Sequence, residues 1–215
     1  MFTYCLNNPV AYSDRQGTIA KICLTADGRI EDSPWREIGR GGASSRAVSD
    51  PKDYIKDQNA QGIGDLRLGL ATVSHGGCGA VATYNALITL GDAEDFSNVL
   101  SYFHGKTCAF GYLGILPHKV ANYFKSEGYT VVVADNCDAI DVYSQTADAC
   151  ILWYTWPDVY AGLDLFSAHF VHYRKAHDGY IAYNVGPSGT QSFSRPSSYA
   201  YQNDRNYAIG IFIYK

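Results

Sequence analysis

Cys78 follows the pair Gly76-Gly77 and opens a run in which Val81, Tyr84, Leu87 and Ile88 recur at helical spacing as far as Gly91. A thiol attacks a carbonyl only as thiolate, and the positive end of a helix dipole lowers its pKa. A cysteine in the first turn of a helix is therefore placed for nucleophilic chemistry. That chemistry also needs an imidazole as ion-pair partner and proton donor, with an acceptor that fixes the imidazole's tautomer. His169 in Ala168-His169-Phe170-Val171 and Asn184 in Gly179-Tyr180-Ile181-Ala182-Tyr183-Asn184 have the right types. Both segments are β-patterned and face each other across Asp178-Gly179, so a hairpin brings the two residues within side-chain reach near its open end.

Rivals sit beside each of them. His172 competes for the role of base, but three residues along a strand reverses the face, so His169 and His172 do not both point at Cys78. The same parity argues against His169 and His172 as a metal pair. Asp178 competes with Asn184, although it lies in the expected turn. Taken singly, Cys78 reads as well as a buried structural thiol, His169 as a hydrogen-bonded sheet histidine and Asn184 as a strand-end asparagine.

The elements that must position these residues are legible in outline. Residues 1–33 read as an N-terminal hairpin and residues 37–66, rich in Gly, Ser and Gln, as a long loop segment. Residues 76–128 hold three helices: one from Cys78 to Gly91, a second capped by Asp92 with Phe96, Val99, Leu100 and Phe103 on one face, and a third opened by Pro117 and stopped at Gly128. Residues 129–215 are β in texture, with Tyr129–Val133, Cys150–Tyr154, the 168–184 hairpin and Tyr207–Tyr214 as strands. The expectation is a single α+β domain over residues 1–215, its helical half carrying the nucleophile helix against a mostly antiparallel sheet.

Composition narrows the function classes. The chain has 215 residues, a formal charge of −4 and 47% hydrophobic residues, enough for a packed core without disulfide staples. An acidic balance without any Lys/Arg-rich block excludes nucleic acid as the main partner. No apolar run approaches the ~18 residues of a membrane span, and no signal peptide opens the sequence, so a cytoplasmic location is the default. The six cysteines are widely and irregularly spaced with no C-x-x-C, which excludes a zinc ribbon and a thioredoxin-type redox site. Gly105-Lys106-Thr107 lacks the glycine that a P-loop needs at the position of Leu100.

The segments Gly77-Cys78-Gly79-Ala80-Val81-Ala82-Thr83-Tyr84-Asn85-Ala86-Leu87, Ala168-His169-Phe170-Val171 and Gly179–Asn184, in that order, resemble the papain-like cysteine peptidases, and within them the bacterial C39-like group related to double-glycine peptidases. The resemblance covers residues 70–190. It implies a papain-like fold, a peptide or protein substrate and no metal or organic cofactor. Cys78 would be the nucleophile, His169 the general acid/base and Asn184 the orienting residue. The family usually carries an oxyanion Gln about six residues before the nucleophile, and here that position is Thr72, so one donor is expected from the Cys78 N–H and the second from Thr72, Ser74 or a loop Gln such as Gln61. Trp153, Tyr154 and Trp156 are expected to line the substrate cleft. Gly41-Gly42-Ala43 raises self-processing of the loop segment. The expected function is a thiol-dependent hydrolase of peptide or isopeptide bonds. A transglutaminase-like acyl transferase and a catalytically silent peptide-binding module on the same fold are the alternatives.

Overall fold

The structure is a computed structural model that describes residues 20–21, 54–111, 113–160, 163–186 and 189–215. In chain order the elements are β1 (Ala20–Lys21), β2 (Arg67–Leu68), β3 (Ala71–Thr72), α1 (Val73–Gly76), α2 (Cys78–Leu90), α3 (Phe96–Phe103), a 3₁₀ turn (Cys108–Gly111) and α4 (Pro117–Ser126). They continue with β4 (Thr130–Ala134), α5 (Cys137–Thr146), β5 (Ala149–Tyr160), β6 (Leu163–Ala176), β7 (Gly179–Val185), β8 (Gly189–Phe193), α6 (Pro196–Ala200) and β9 (Tyr207–Tyr214).

One sheet dominates, in the order β4-β9-β5-β6-β7-β8, with β1 also paired to β6. Every ladder in it is antiparallel. The β5–β6 hairpin runs from Cys150 opposite Tyr173 to Tyr160 opposite Leu163, much longer than the two short runs expected from sequence. Alternation along its strands separates two cores. Ile151, Trp153, Ala168 and Phe170 face α2, while Leu152, Tyr154, Val171 and Tyr173 face Ile140 of α5 and Tyr199 of α6. A sheet covered on both faces needs apolar side chains at consecutive positions, which is why Cys150-Ile151-Leu152-Trp153-Tyr154 shows no polar alternation.

Helix α2 is buried along almost its whole length, between the sheet on one side and α3 and α4 on the other. Its apolar residues accordingly go all the way round, as expected of a central helix. Gly91, at φ 78°, ends it in the left-handed conformation that glycine adopts without strain. α3 buries the expected Phe96, Val99, Leu100 and Phe103, but its N-cap is Asp95. Asp92 instead accepts hydrogen bonds from Tyr129 and Lys215, tying the α2–α3 connection to the sheet.

The fold is a mixture of helices and antiparallel sheet, in agreement with the expected class. It differs from the expected order of helices first and sheet afterwards, because α5 and α6 lie among the strands and cover the second face. Asn136 starts α5 by accepting the Ala139 N–H at 2.9 Å. Ile140, Asp141 and Ser144 supply its buried side. Of the expected N-terminal hairpin only Ala20–Lys21 is described. Of the expected long loop, residues 54–66 are described and form turns without helix or strand. Gly41-Gly42-Ala43 lies outside the described residues. No helix among the described residues is long and apolar enough to cross a membrane.

Candidate functional site

Cys78 is the first residue of α2, behind an N-cap at Gly77. The short helix α1 leads straight into it, and the Gly77 N–H closes α1 on the Val73 carbonyl at 2.8 Å. Gly76 is required here by close approach: a Cβ would stand 2.2 Å from the Gly111 carbonyl oxygen, so the 3₁₀ segment packs directly on the backbone ahead of the nucleophile candidate. Cys78 is itself fully buried, with 0% exposure.

His169 lies on β6 opposite Tyr154 of β5, and the two rings meet edge to face with centroids 6.0 Å apart. Burial drives the Tyr154 hydroxyl well above its usual pKa, and negative charge on Tyr199 and Cys78 adds to the rise while the Arg205 guanidinium opposes it. That guanidinium sits over the Tyr154 ring, 3.5 Å from its centroid, and 4.6 Å from the Tyr199 centroid. Tyr154 thus touches the candidate base, and charge on the candidate nucleophile raises its pKa further.

The ladder between β6 and β7 ends at the pair His172–Tyr183, and the ladder between β7 and β8 shifts register between Tyr183 and Val185. At the break Asn184 adopts φ 65°, a left-handed conformation that asparagine tolerates better than most residues. The turn of the backbone aims the Asn184 carbonyl oxygen at Nε2 of His169, 2.6 Å away. A carbonyl oxygen only accepts, so Nε2 carries the hydrogen, and in the neutral ring Nδ1 holds the lone pair. Nδ1 is buried as well.

The side chain of Asn184 goes elsewhere. Its Oδ1 accepts the Gln58 N–H at 2.9 Å, and its Nδ2 donates to Gln58 Oε1 at 3.0 Å. The sequence-based expectation of an orienting Asn184 thus meets a different atom: the carbonyl, not the amide, touches His169. Gln58 also donates from Nε2 to the carbonyls of Val73 and Ser74, at 3.3 and 3.2 Å. No sequence signal singles out Gln58, a polar residue among polar loop residues, and its neighbour Gln61 is exposed.

His172 belongs to a separate network on the opposite face. Its Nδ1 donates to the Cys150 carbonyl at 2.9 Å, and its Nε2 pairs with the Thr89 hydroxyl at 2.7 Å. Tyr54 reaches the same hydroxyl at 3.1 Å. Burial lowers the His172 pKa to about 3, so it stays neutral and serves as a cross-brace between α2 and the sheet.

The remaining expected residues are dispersed. The hydroxyls of Thr72 and Ser74 bond each other at 2.8 Å, and Thr72 Oγ1 also meets His75 Nδ1 at 3.0 Å. Trp153 and Tyr154 are 5% and 4% exposed and point to opposite faces of the sheet, so they do not share one groove wall. Trp156 is partly exposed, on the Tyr154 face. Asp178 is exposed in the turn beside His177, away from His169. A depression of about 460 Å³ lies between α5, β7 and α6, lined by Asp141, Tyr180 and Arg195 among others, and none of Cys78, His169 and Asn184 lines it. Among the described residues no cluster of three His, Cys, Asp or Glu side chains has the geometry to hold a metal.

Compared with protein-family models and with curated proteins, the chain matches none.

Proposed function

We propose that the chain is a thiol-dependent hydrolase that cleaves a peptide or isopeptide bond through an acyl-enzyme on Cys78. The observation that carries this reading is the His169 Nε2–H bond to the Asn184 carbonyl, which leaves Nδ1 as the basic nitrogen of a buried imidazole, in a chain whose other candidate, Cys78, opens helix α2. In this chemistry His169 takes the Cys78 proton on Nδ1, and the thiolate adds to the substrate carbonyl carbon, forming the C–S bond. The imidazolium returns the proton to the leaving amine as the C–N bond breaks, and water then hydrolyses the thioester. The Asn184 carbonyl steadies the imidazolium by accepting from Nε2 throughout. No metal or organic cofactor takes part.

The second reading, a catalytically silent peptide-binding module, is favoured by the complete burial of Cys78. Burial in apolar surroundings raises a thiol's pKa and keeps reagents out. Iodoacetamide labelling of Cys78 across pH, in the unmodified protein and in His169→Ala, separates the two. Rapid labelling already near pH ~5, lost in the variant, supports the hydrolase. Labelling that rises only near pH ~8.5 in both proteins overturns it. Within the enzyme reading, a peptide thioester offered with an amine acceptor separates hydrolase from acyl transferase: free acid marks the former, and amide the transferase.

A further inference from the structure

Gln58 is fully buried, and every polar atom of its side chain is engaged. Oε1 and the backbone N–H close a reciprocal pair with the Asn184 amide, on the β7 side of the site. Nε2 carries two hydrogens, and both go to the carbonyls of Val73 and Ser74, in the short helix that leads into Cys78. One side chain thus bridges the segment that delivers the nucleophile candidate and the residue that holds the base. The same allocation removes Gln58 as an oxyanion donor, since no N–H of its amide is left for a substrate oxygen.

Strand pairing skips Asn184 itself, which lies between the paired Tyr183 and Val185 of the β7–β8 ladder. The β6–β7 ladder ends at Tyr183, and φ of 65° costs a residue with a Cβ energy that surrounding contacts must offset. The Gln58 amide is the side chain that grips it. Segment 54–58 is itself held down at its other end, where Asn85 of α2 accepts the Ile55 N–H at 2.8 Å and donates to the Ile55 carbonyl at 2.9 Å, and Tyr54 stacks on Tyr183 with centroids 4.3 Å apart.

We propose that Gln58 is a positioning residue: its amide clasp on Asn184 aims the Asn184 carbonyl at His169 Nε2 and so selects the imidazole tautomer that presents Nδ1 as the base. The functional importance of that tautomer rests on the hydrolase reading, but the clasp and its effect on His169 do not.

The test reads the imidazole directly. In protein with ¹⁵N-labelled histidine, His169 is assigned by its loss in His169→Ala, and its tautomer is followed in the unmodified protein, in Gln58→Met, in Asn184→Gly and in the double variant. Met keeps the side-chain length without donors or acceptor, and Gly keeps the carbonyl while tolerating the left-handed φ. The unmodified protein is expected to hold the Nε2–H form alone, and each single variant to show both tautomers. The double variant should be no worse than either single one, because both break the same clasp. In parallel, Cys78 labelling near pH ~6 is expected to slow by about tenfold in each single variant.

Retention of the pure Nε2–H form in Gln58→Met and Asn184→Gly overturns the proposal, whatever the labelling shows. If Gln58→Met proves unfolded by circular dichroism, Asn184→Gly decides alone, as its backbone is eased and not strained. A tautomer change in the variants, with Cys78 labelling as an ordinary thiol in every protein, leaves the clasp standing and removes the hydrolase reading.

Discussion

The Nε2 of His169 lies 2.6 Å from the backbone carbonyl oxygen of Asn184, while the Asn184 side chain turns away to Gln58. Orientation of the imidazole therefore depends on where the backbone points at residue 184, and only indirectly on the amide. Asn184→Ala and His169→Ala should differ accordingly. On the proposed hydrolase reading, His169→Ala removes the proton carrier and is expected to lower hydrolysis by about a thousandfold or more, whereas Asn184→Ala keeps a carbonyl and costs less, in about the 10- to 100-fold range. Steady-state rates on one peptide substrate, with Cys78→Ala as the blank, check the ranking. Equal losses in the two variants would contradict it.

Acid should weaken the fold through His172. Its folded pKa, lowered by burial to about 3, lies below the ordinary 6.5, so the unfolded chain takes up a proton that the folded protein refuses. Stability from the neutral ring is complete above pH 6.5 and is lost as the pH falls from there toward 3. Urea midpoints measured through this window are expected to fall steadily, and a His172→Gln variant should be less stable at pH 7 but with a shallower slope. An unchanged slope in the variant would assign the acid sensitivity to other groups.

Asp141 of α5 forms a second hub, with Arg195 and Ser197. Burial alone would raise its pKa, yet the Ser197 hydroxyl and N–H and the Arg195 guanidinium, at 2.7, 2.9 and 2.5 Å, together hold the carboxyl below its usual range. Asp141→Ala leaves the buried Ser197 N–H without its acceptor and is expected to destabilise the protein by about 1–3 kcal/mol, read by thermal or urea melting. Cys78 labelling should be unaffected in this variant.

Trp153 and Trp156 should separate cleanly. Trp153 packs at 5% exposure against Phe170, with ring centroids 6.4 Å apart, so Trp153→Ala is expected to cost about 3–5 kcal/mol. Trp156 is partly exposed beside Tyr154, and Trp156→Ala should cost under about 1 kcal/mol. If Trp156 touches substrate, the same variant raises KM with kcat held. An unchanged KM removes Trp156 from the substrate surface.

Gly76→Ala tests the close packing ahead of Cys78. The new methyl carbon would meet the Gly111 carbonyl at 2.2 Å, and backbone on both sides leaves no flexible neighbour to give way. A loss of about 1–3 kcal/mol is expected, with slower Cys78 chemistry if α1 shifts. A melting temperature equal to that of the unmodified protein would show that the 3₁₀ segment moves aside at no cost.

Local patterning determined much of this protein. The spacing of Val81, Tyr84, Leu87 and Ile88, with Gly91 behind them, specified α2 with Cys78 at its start, because helix periodicity and a glycine stop are properties of neighbouring residues. Asp178-Gly179 specified the β6–β7 turn for the same reason. Pro117 specified the start of α4. What packs across the second face of the sheet did not follow, because consecutive apolar residues in Cys150–Tyr154 report burial on both sides without naming the cover. Which atom of Asn184 meets His169 was decided by tertiary structure alone. A break in the ladder turns the Asn184 carbonyl inward, and the grip on that asparagine comes from Gln58, 126 positions away, in a segment with no pattern of its own. Contacts of that separation depend on the path of the whole chain, and no window of sequence contains both partners.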